Sequence, residues 1–186
     1  GIVKGTGYKR ANSKGCAQVK AHLKYIEQRP DPDELGHRQK REIFNENDNV
    51  KRQDFQQKIN DLAKKHPGGV LAHKVVLAAQ KGDVAKNVDM KEVTRATIAE
   101  YEAKTGQKLD YVAVQHGNHV HVVILGRDKS GKEVIFKPQD LKRLQNIFDK
   151  QVKRQYERNR GRKMDLGDVR EFCKTPLEYA QALEQK

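Results

Sequence analysis

The feature that most constrains this chain is a pair of β-like segments joined by two turn residues. Residues 109–125 are rich in β-branched and aromatic side chains, and Gly117-Asn118 divides them into two runs. Gly-Asn between two such runs is a signal for a two-residue hairpin, with Gly at the position where a type II′ turn requires a positive φ. Both faces of the two runs carry apolar side chains. The segment therefore predicts a central, buried antiparallel hairpin.

The register of this hairpin brings three histidines together. With Gly117-Asn118 as the turn, His116 lies opposite His119, and Val114 lies opposite His121. Successive side chains of a strand alternate between its two faces, so all three imidazoles are predicted to lie on one face. Three ring nitrogens would then converge at the end of the hairpin.

Three converging imidazoles favour a metal site over a structural role. They leave a divalent ion with its full charge and with open coordination positions, which suits a Lewis acid that holds a substrate oxygen. Ligand softness alone favours zinc, manganese or another transition ion over magnesium. The alternative is that His116, His119 and His121 only finish a strand end and hydrogen-bond to nearby loops.

The rest of the chain alternates between helical and β-like patterns. Asn12-Ser13 precedes apolar residues at spacings of three and four, which predicts a capped helix that ends before Pro30. Further helices are predicted at residues 53–66, 89–105 and 138–160, strands at 70–79 and 133–136, and a weaker helical tail at 161–186. This order indicates an α+β or α/β domain in which helices cover one sheet.

The net charge of +13 comes from two segments of the chain. Residues 1–29 carry seven Lys or Arg and one acid, a net +6, and residues 137–163 carry ten and three, a net +7. The remainder is neutral. Two basic blocks on a neutral chain indicate a polyanionic partner, because each neutralised phosphate releases condensed counterions. The alternative is that the blocks are only solvated helix faces.

Length and composition indicate the domain organisation and the cellular location of the protein. The chain of 186 residues suits a single domain, residues 1–186, and Gly1 in place of Met leads us to expect the N-terminal part of a longer protein. No run approaches the roughly 18 apolar residues that a membrane-spanning helix needs, and the N-terminus lacks the apolar run of a signal peptide. Cys16 and Cys173 form no metal or disulfide motif. We expect a cytoplasmic protein with no membrane partner.

Three segments together resemble the histidine-hydrophobic-histidine (HUH) endonucleases, and within them the conjugative relaxases of the mobilisation-protein and T-DNA border endonuclease type. Residues 23–29 (LKYIEQR) are similar to the helix that bears the relaxase tyrosine, and residues 72–77 (AHKVVL) to its second sheet motif. Residues 111–116 (YVAVQH) and 119–124 (HVHVVI) are similar to its metal motif. The resemblance implies an α+β fold, a central antiparallel sheet flanked by helices in the ferredoxin-like, split β-α-β relaxase arrangement.

The resemblance also implies an activity, the site- and strand-specific nicking of single-stranded DNA at a transfer origin, for conjugative transfer or plasmid mobilisation. Tyr25 would attack the scissile phosphate and give a 5′-phosphotyrosine with a free 3′-hydroxyl. Arg29, one helical turn later, would stabilise the phenolate or the phosphate. A divalent metal ion, magnesium or manganese in the family, would be held by His116, His119 and His121. Accessory DNA-binding and coupling proteins are the implied partners.

The two basic blocks supply the DNA contacts that such an activity needs. Tyr156 lies within the second block and is expected to stack on a base, while the cations hold the DNA backbone. The alternative is a plain amphipathic helix. The expected contacts are Lys9, Arg10, Lys14, Lys142, Arg143, Lys150, Lys153, Arg154, Tyr156, Arg158 and Arg160.

Several alternatives stay open. Rolling-circle replication initiators and single-tyrosine transposases place their nucleophile after the histidine motif, so Tyr156 or Tyr179 would have to serve. The carboxylate that would orient the site or accept a proton has three candidates, Glu27, Asp31 and Asp110. A DNA-binding module without catalysis would keep the basic blocks and make the histidines structural. A small metal-dependent hydrolase would explain the histidines but not the basic blocks.

Overall fold

The structure is a computed structural model that describes residues 1–29, 40–79 and 87–172, with side chains up to residue 161. Asp31, Cys173, Tyr179 and the tail beyond residue 172 lie outside these residues. The elements in chain order are β1 (Ile2–Arg10), α1 (Ser13–Gln28), α2 (Arg52–Lys65), β2 (Val70–Ala78), α3 (Met90–Thr105), β3 (Tyr111–His116), β4 (His119–Leu125) and α4 (Pro138–Phe172).

The strands form one antiparallel sheet of four strands in the order β1-β2-β4-β3. β2 and β3 therefore run in the same direction, because each pairs antiparallel with β4 between them. The outer edge of β3 is partly covered by a single bridge between Ala113 and Phe44. The chain is an α+β protein with a central antiparallel sheet flanked by helices, as expected.

Helices cover both faces of the sheet and bury a separate apolar layer on each. The α1–α2 face takes Val19, Leu23 and Ile26 of α1 and Phe55 and Ile59 of α2, packed on Val112, Val114, Val123 and Leu125 of the hairpin. The α3–α4 face takes Val93, Ile98 and Tyr101 of α3 and Leu144, Ile147, Phe148 and Val152 of α4, packed on Tyr111, Ala113, Val120, Val122 and Ile124. The hairpin is buried on both faces, which confirms its predicted central position.

The turn of the hairpin has the predicted conformation. Gly117 has a φ of 60°, and Asn118 does not share a positive φ. This combination is that of a type II′ turn and excludes type I′, which needs positive φ at both central residues. The register then places His116 opposite His119 and His121 opposite Val114.

Helix ends follow the capping signals in the sequence. The Asn12 side chain accepts a hydrogen bond from the backbone N–H of Gly15 at 2.7 Å, and α1 begins at the next residue, Ser13. At α3, the Asp89 side chain caps the first turn, and Gly106 ends the helix with a φ of 72°. These contacts explain why the predicted bounds of both helices agree with the observed ones to within two residues.

The structure differs from the sequence predictions in three places: one strand was not predicted, and two predicted elements are wrong. β1 was not predicted, because its glycines and lysines obscure the alternation and only Val3 of the strand is buried. Residues 133–136 form no strand: one bridge joins Glu133 to Arg127, and Val134 hydrogen-bonds to Gly126. α4 continues to Phe172, so residues 161–172 belong to the helix and not to a separate tail. Within the described residues, no helix combines the length and the apolarity needed to cross a bilayer.

Replacing Gly117 with Ala tests whether the turn depends on the left-handed backbone. An added Cβ would meet no atom within 4 Å, so the cost arises from the φ of 60° alone. We expect the free energy of unfolding to fall by about 1 kcal/mol, measured by urea denaturation.

Gly161 is the matched control, because it is helical, has ordinary backbone angles and also leaves open space for a Cβ. Gly161→Ala should leave stability unchanged or raise it by up to about 1 kcal/mol. Equal effects of the two substitutions would contradict the turn assignment.

Candidate metal centre

The three histidines of the hairpin form one cluster on the α1–α2 face of the sheet. One ring nitrogen from each of His116, His119 and His121 lies within 4.8 Å of the other two. The centroids of the His116 and His121 rings are 4.9 Å apart, and those of His119 and His121 are 5.1 Å apart. The predicted convergence of three imidazoles is therefore confirmed. This cluster is the one group of three or more potential metal ligands among the described residues.

A hydrogen bond to helix α1 fixes the orientation of the most buried ring. His116 Nε2 lies 2.6 Å from the carbonyl oxygen of Ile26, and a carbonyl only accepts, so Nε2 must carry the proton. The lone pair is then on Nδ1. A metal-ligating histidine usually donates its other N–H to a carbonyl or carboxylate in this way, which fixes the tautomer and raises the basicity of the ligand.

A buried ring nitrogen of His121 fits the binding of a cation at the cluster. The Nε2 atom of His121 is buried and has no hydrogen-bond partner among the described residues. A buried polar atom left without a partner costs about 1–3 kcal/mol, so such atoms are rare without a cause. A cation bound at this atom would remove that cost.

The spacing of the ring nitrogens suits one transition ion. Nitrogens that each lie 2.0–2.1 Å from one tetrahedral zinc ion are roughly 3.4 Å apart. The present separations of up to 4.8 Å come within that range after small side-chain rotations. The cluster can therefore hold a metal ion with three imidazoles and leave at least one position open.

The imidazoles are held neutral at physiological pH. Burial, followed by the charges of His116 and His119, lowers the pKa of His121 to about 4. Burial is also the main cause that lowers the pKa of His116 and of His119. Neutral rings are the form that binds metal, so protons compete weakly for this site.

The C-terminal end of α1 is built into the site. The last carbonyls of a helix have no intrahelical donor. Here Ile26 accepts from His116, Glu27 accepts from the backbone N–H of Arg41 at 2.8 Å, and Arg29 accepts from the Arg41 guanidinium at 3.2 Å. Sequence reasoning missed Arg41, because its place beside the site depends on this tertiary contact.

Tyr25 lies on the same end of α1 and is available to solvent. Its side chain is 55% exposed, and the Arg29 guanidinium lies 5.8 Å from the centre of its ring. Residues three and four positions away are neighbours on a helix surface, so His22 and Arg29 flank Tyr25 on either side. The His22 ring lies 6.2 Å from that of His121, and the charge of Arg29 contributes to lowering the pKa of all three clustered histidines. Both flanking residues therefore lie at the cluster.

His22 is a site residue whose importance the sequence did not show. Burial, followed by the charges of Lys74 and Lys9, lowers its pKa to about 4. It therefore adds a fourth neutral imidazole beside His121. The spacing of His22 and Tyr25 on one helix was the available signal, but the contact with His121 depends on how α1 crosses the sheet.

The structure does not bring the basic helix to the histidine cluster. α4 packs on the α3–α4 face, whereas the cluster lies on the α1–α2 face. Lys150 forms an ion pair with Glu100, and Arg158 pairs with Glu92 at 3.0 Å. The remaining cations of α4 expected to hold DNA are exposed: Lys142, Arg143, Lys153, Arg154 and Arg160.

The other expected DNA contacts are divided between the two faces. Tyr156 is half-buried against the apolar layer of the α3–α4 face, with Arg160 over its ring at 5.9 Å. Lys9 lies opposite Ala72, and its positive charge contributes to lowering the pKa of His22. Arg10 lies over the Tyr8 ring, and Lys14 is exposed in the first turn of α1.

The two candidate carboxylates among the described residues, Glu27 and Asp110, do not join the cluster. Glu27 is buried and lies 3.9 Å from Arg52, while Asp110 pairs with Lys58 at 3.1 Å. Among the described residues, no carboxylate groups with the three histidines. The metal ligands that this part of the chain offers are therefore imidazoles.

Comparison with known proteins gives no relative of this chain. No family model matches it, and neither a curated protein nor a solved structure matches significantly. Its functional interpretation therefore depends on the site itself.

Replacing His121 with Ala tests the cluster as a metal site. We expect the affinity for Mn²⁺ or Zn²⁺, measured by isothermal titration calorimetry, to fall strongly. The fall should exceed the roughly 10- to 100-fold that is typical when a residue hydrogen-bonded to a metal ligand is removed. His66→Ala is the control, because His66 lies at the end of α2 and not in the cluster. Equal affinities of the wild type and His121→Ala would contradict the site.

The pH dependence of metal binding follows from the lowered pKa values. A metal competes with protons for the ring nitrogens, so affinity falls only where the rings become protonated. Because the pKa of His121 is about 4 and those of His116 and His119 are also lowered, affinity should stay nearly constant between about pH 8 and pH 6. A steep loss of affinity centred near pH 6.5, the value of an ordinary histidine, would show that the rings are not buried as described.

Proposed function

We propose that this chain is a relaxase-type DNA nicking enzyme, which cuts one strand by transesterification at a tyrosine. The observation that carries the proposal is the meeting of two elements at one place. The β3–β4 hairpin presents three neutral imidazoles, and the end of α1, which accepts a hydrogen bond from His116 at Ile26, carries Tyr25 and Arg29. A metal-binding cluster next to an exposed phenol and a guanidinium matches the chemical needs of phosphodiester cleavage.

The residues of this site have distinct roles in the proposed reaction. His116, His119 and His121 would hold the metal ion, which supplies Lewis-acid polarisation of the scissile phosphate. The ligand set favours manganese, zinc or another transition ion, and the resemblance to relaxases favours magnesium or manganese. Arg29 adds a fixed positive charge where the phosphate gains negative charge during attack.

The proposed chemical step replaces one phosphoester bond with another, so the energy needed to rejoin the strand is retained in the covalent intermediate. The Tyr25 phenol oxygen forms a bond to phosphorus while the bond between phosphorus and the 3′ oxygen breaks. The phenol proton passes to solvent, and the departing 3′ oxygen takes up a proton to become a hydroxyl. The product is a 5′-phosphotyrosine, from which reversal of the same step rejoins the strand.

The positive charge around the cluster supports a phosphate substrate. The charges of Arg29 and Arg41 act on His116 and His119, so their field extends over the place where a metal would bind. That field is positive, so it opposes a bound cation and attracts a phosphate. The site is therefore better suited to a metal ion and a phosphate together than to a metal ion alone.

The strand connections support the finer fold assignment that we propose. β2, α3 and β3 form a β-α-β unit whose two parallel strands are separated by β4. This is a split β-α-β arrangement, as in the ferredoxin-like sheet of HUH endonucleases. We further propose a single-stranded DNA substrate at a transfer origin, accessory DNA-binding and coupling proteins as partners, and action in the cytoplasm.

The position of the other tyrosines disfavours a nucleophile after the histidine motif. Tyr156 packs on the α3–α4 face, across the sheet from the cluster. Tyr101, which lies before the histidine motif, is 2% exposed in the core. Tyr25 is the exposed tyrosine of the described chain whose helix neighbour, His22, contacts the cluster at His121.

The proposal is tested by capturing the covalent intermediate. A random library of single-stranded oligonucleotides is labelled at the 3′ end, because the 3′ fragment carries the phosphate that Tyr25 would retain. With Mn²⁺, the wild type should give a labelled protein band on a denaturing gel. Tyr25→Phe should give none, since the phenol oxygen is the atom that forms the bond. Tyr156→Phe is the matched control and should keep the band.

Other results would select a different function. A band that persists in Tyr25→Phe and disappears in Tyr156→Phe would favour the rolling-circle or transposase arrangement. Oligonucleotide binding that ignores chelators, with no adduct in any variant, would favour a DNA-binding module without catalysis. Cleavage without a covalent adduct would favour a metal-dependent hydrolase.

A further inference from the structure

A second concave site lies on the opposite side of the sheet from the histidine cluster. The edge strand β1, residues 133–136 and the start of α4 enclose a cavity of about 430 Å³. Tyr8, His73, Ile135 and Phe136 line it. Gly5 and Gly7 of β1 also line it, and because they lack side chains the cavity stays accessible along the strand edge.

The lining is aromatic and partly exposed. The His73 and Phe136 rings meet edge to face with centroids 5.0 Å apart, and the Tyr8 ring lies 6.2 Å from His73. Tyr8 is 50% exposed and Ile135 is 52% exposed, which makes them two of the four exposed large apolar residues of the described chain. Exposed aromatic and apolar groups gathered around one cavity indicate a ligand site.

Cations of both basic blocks lie next to residues that line this cavity. From the first block, the Arg10 guanidinium lies 5.8 Å from the centre of the Tyr8 ring. From the second block, the exposed Lys142 directly follows Leu141, which lines the cavity from α4. Lys137 is also exposed, just before the first turn of α4. A cationic rim around an aromatic interior is complementary to a nucleic acid strand, whose bases are flat and apolar and whose backbone is anionic.

The one acidic residue that lines the cavity among the described residues indicates which part of the strand enters. Lys74 also lines the cavity, so with Glu133 the interior carries no excess positive charge to draw in the backbone, and Glu133 itself repels a phosphate. Its carboxylate accepts hydrogen bonds, as the exocyclic amino groups of adenine, cytosine and guanine require. A base inside and phosphates at the rim therefore satisfy both the carboxylate and the cations.

We propose that this cavity binds one unpaired base of a single-stranded DNA, stacked on Tyr8, with the flanking phosphates held by Arg10 and Lys142. The identity of the strand rests on the proposed nicking function, in which the same DNA would reach the histidine cluster. In this proposal the start of the basic helix α4 binds DNA at the cavity, although the helix lies across the sheet from the histidine cluster.

A fluorescent base tests the proposal directly. The probe is a single-stranded deoxythymidine oligonucleotide that contains one 2-aminopurine, whose emission is quenched when it stacks on an aromatic ring. The wild type and Tyr8→Phe should quench the probe equally, because both keep the ring. Tyr8→Ala should abolish the quenching and weaken binding about 5- to 100-fold, as expected for loss of one stacked base.

Matched variants separate the cavity from general effects. Ile2→Ala changes another exposed apolar residue of β1 that does not line the cavity, and it should bind as the wild type does. Ile135→Ser should weaken binding, because Ile135 lines the cavity from the other side. Circular dichroism and Mn²⁺ affinity should be unchanged in Tyr8→Ala, since Tyr8 is half-exposed and lies on the opposite face of the sheet from His116, His119 and His121.

The outcomes distinguish this inference from the proposed function. Unchanged quenching and affinity in Tyr8→Ala, or an equal loss in Ile2→Ala, overturns the base site even if the covalent adduct at Tyr25 forms normally. A wild type that does not quench the probe overturns it as well. Quenching that depends on Tyr8, in a protein that forms no covalent adduct, would support the base site and contradict the proposed nicking function.

Discussion

The hydrogen bond from His116 Nε2 to the carbonyl of Ile26 holds the candidate site together. It joins the end of the central hairpin to the last turn of α1, two elements that are far apart in sequence. It also fixes the tautomer of His116, leaving Nδ1 as the ligand atom. Because Tyr25 precedes Ile26 directly, the same contact that orients the ligand sets the distance between the helix-borne phenol and the imidazole cluster.

This contact is favoured by the helix end itself. The last carbonyls of α1 need donors, and the hairpin and Arg41 supply them. The partial negative charge at the C-terminal end of a helix also favours a cation nearby. The helix end therefore offsets part of the positive field of Arg29 and Arg41 at the cluster, where His121 Nε2 has no hydrogen-bond partner among the described residues.

The two proposed sites lie on opposite faces of the sheet. The α1–α2 face carries the imidazoles, Tyr25 and the arginines, while the α3–α4 face carries the basic helix and the aromatic cavity. β1 is the edge strand between them, and it contributes cations to both faces, Lys9 towards His22 and Arg10 towards Tyr8. A strand of DNA that engages both sites would pass over this edge.

The sequence predicted the local geometry of the site better than its surroundings. The Gly117-Asn118 turn and the alternation of side chains follow from backbone sterics, so the convergence of the three histidines was predictable. The face on which α4 packs was not, because an amphipathic pattern shows which side of a helix is buried and not which face of a sheet covers it. The nearness of His22 and Arg41 depends on tertiary contacts, for which no short-range signal exists.

The central claim is that three imidazoles share one metal ion, and X-ray absorption spectroscopy of the zinc-loaded protein measures this most directly. The account predicts three histidine nitrogens at about 2.0–2.1 Å, with the remaining position filled by water or phosphate oxygen. Zinc bound by one or two imidazoles, or by sulfur, would contradict it.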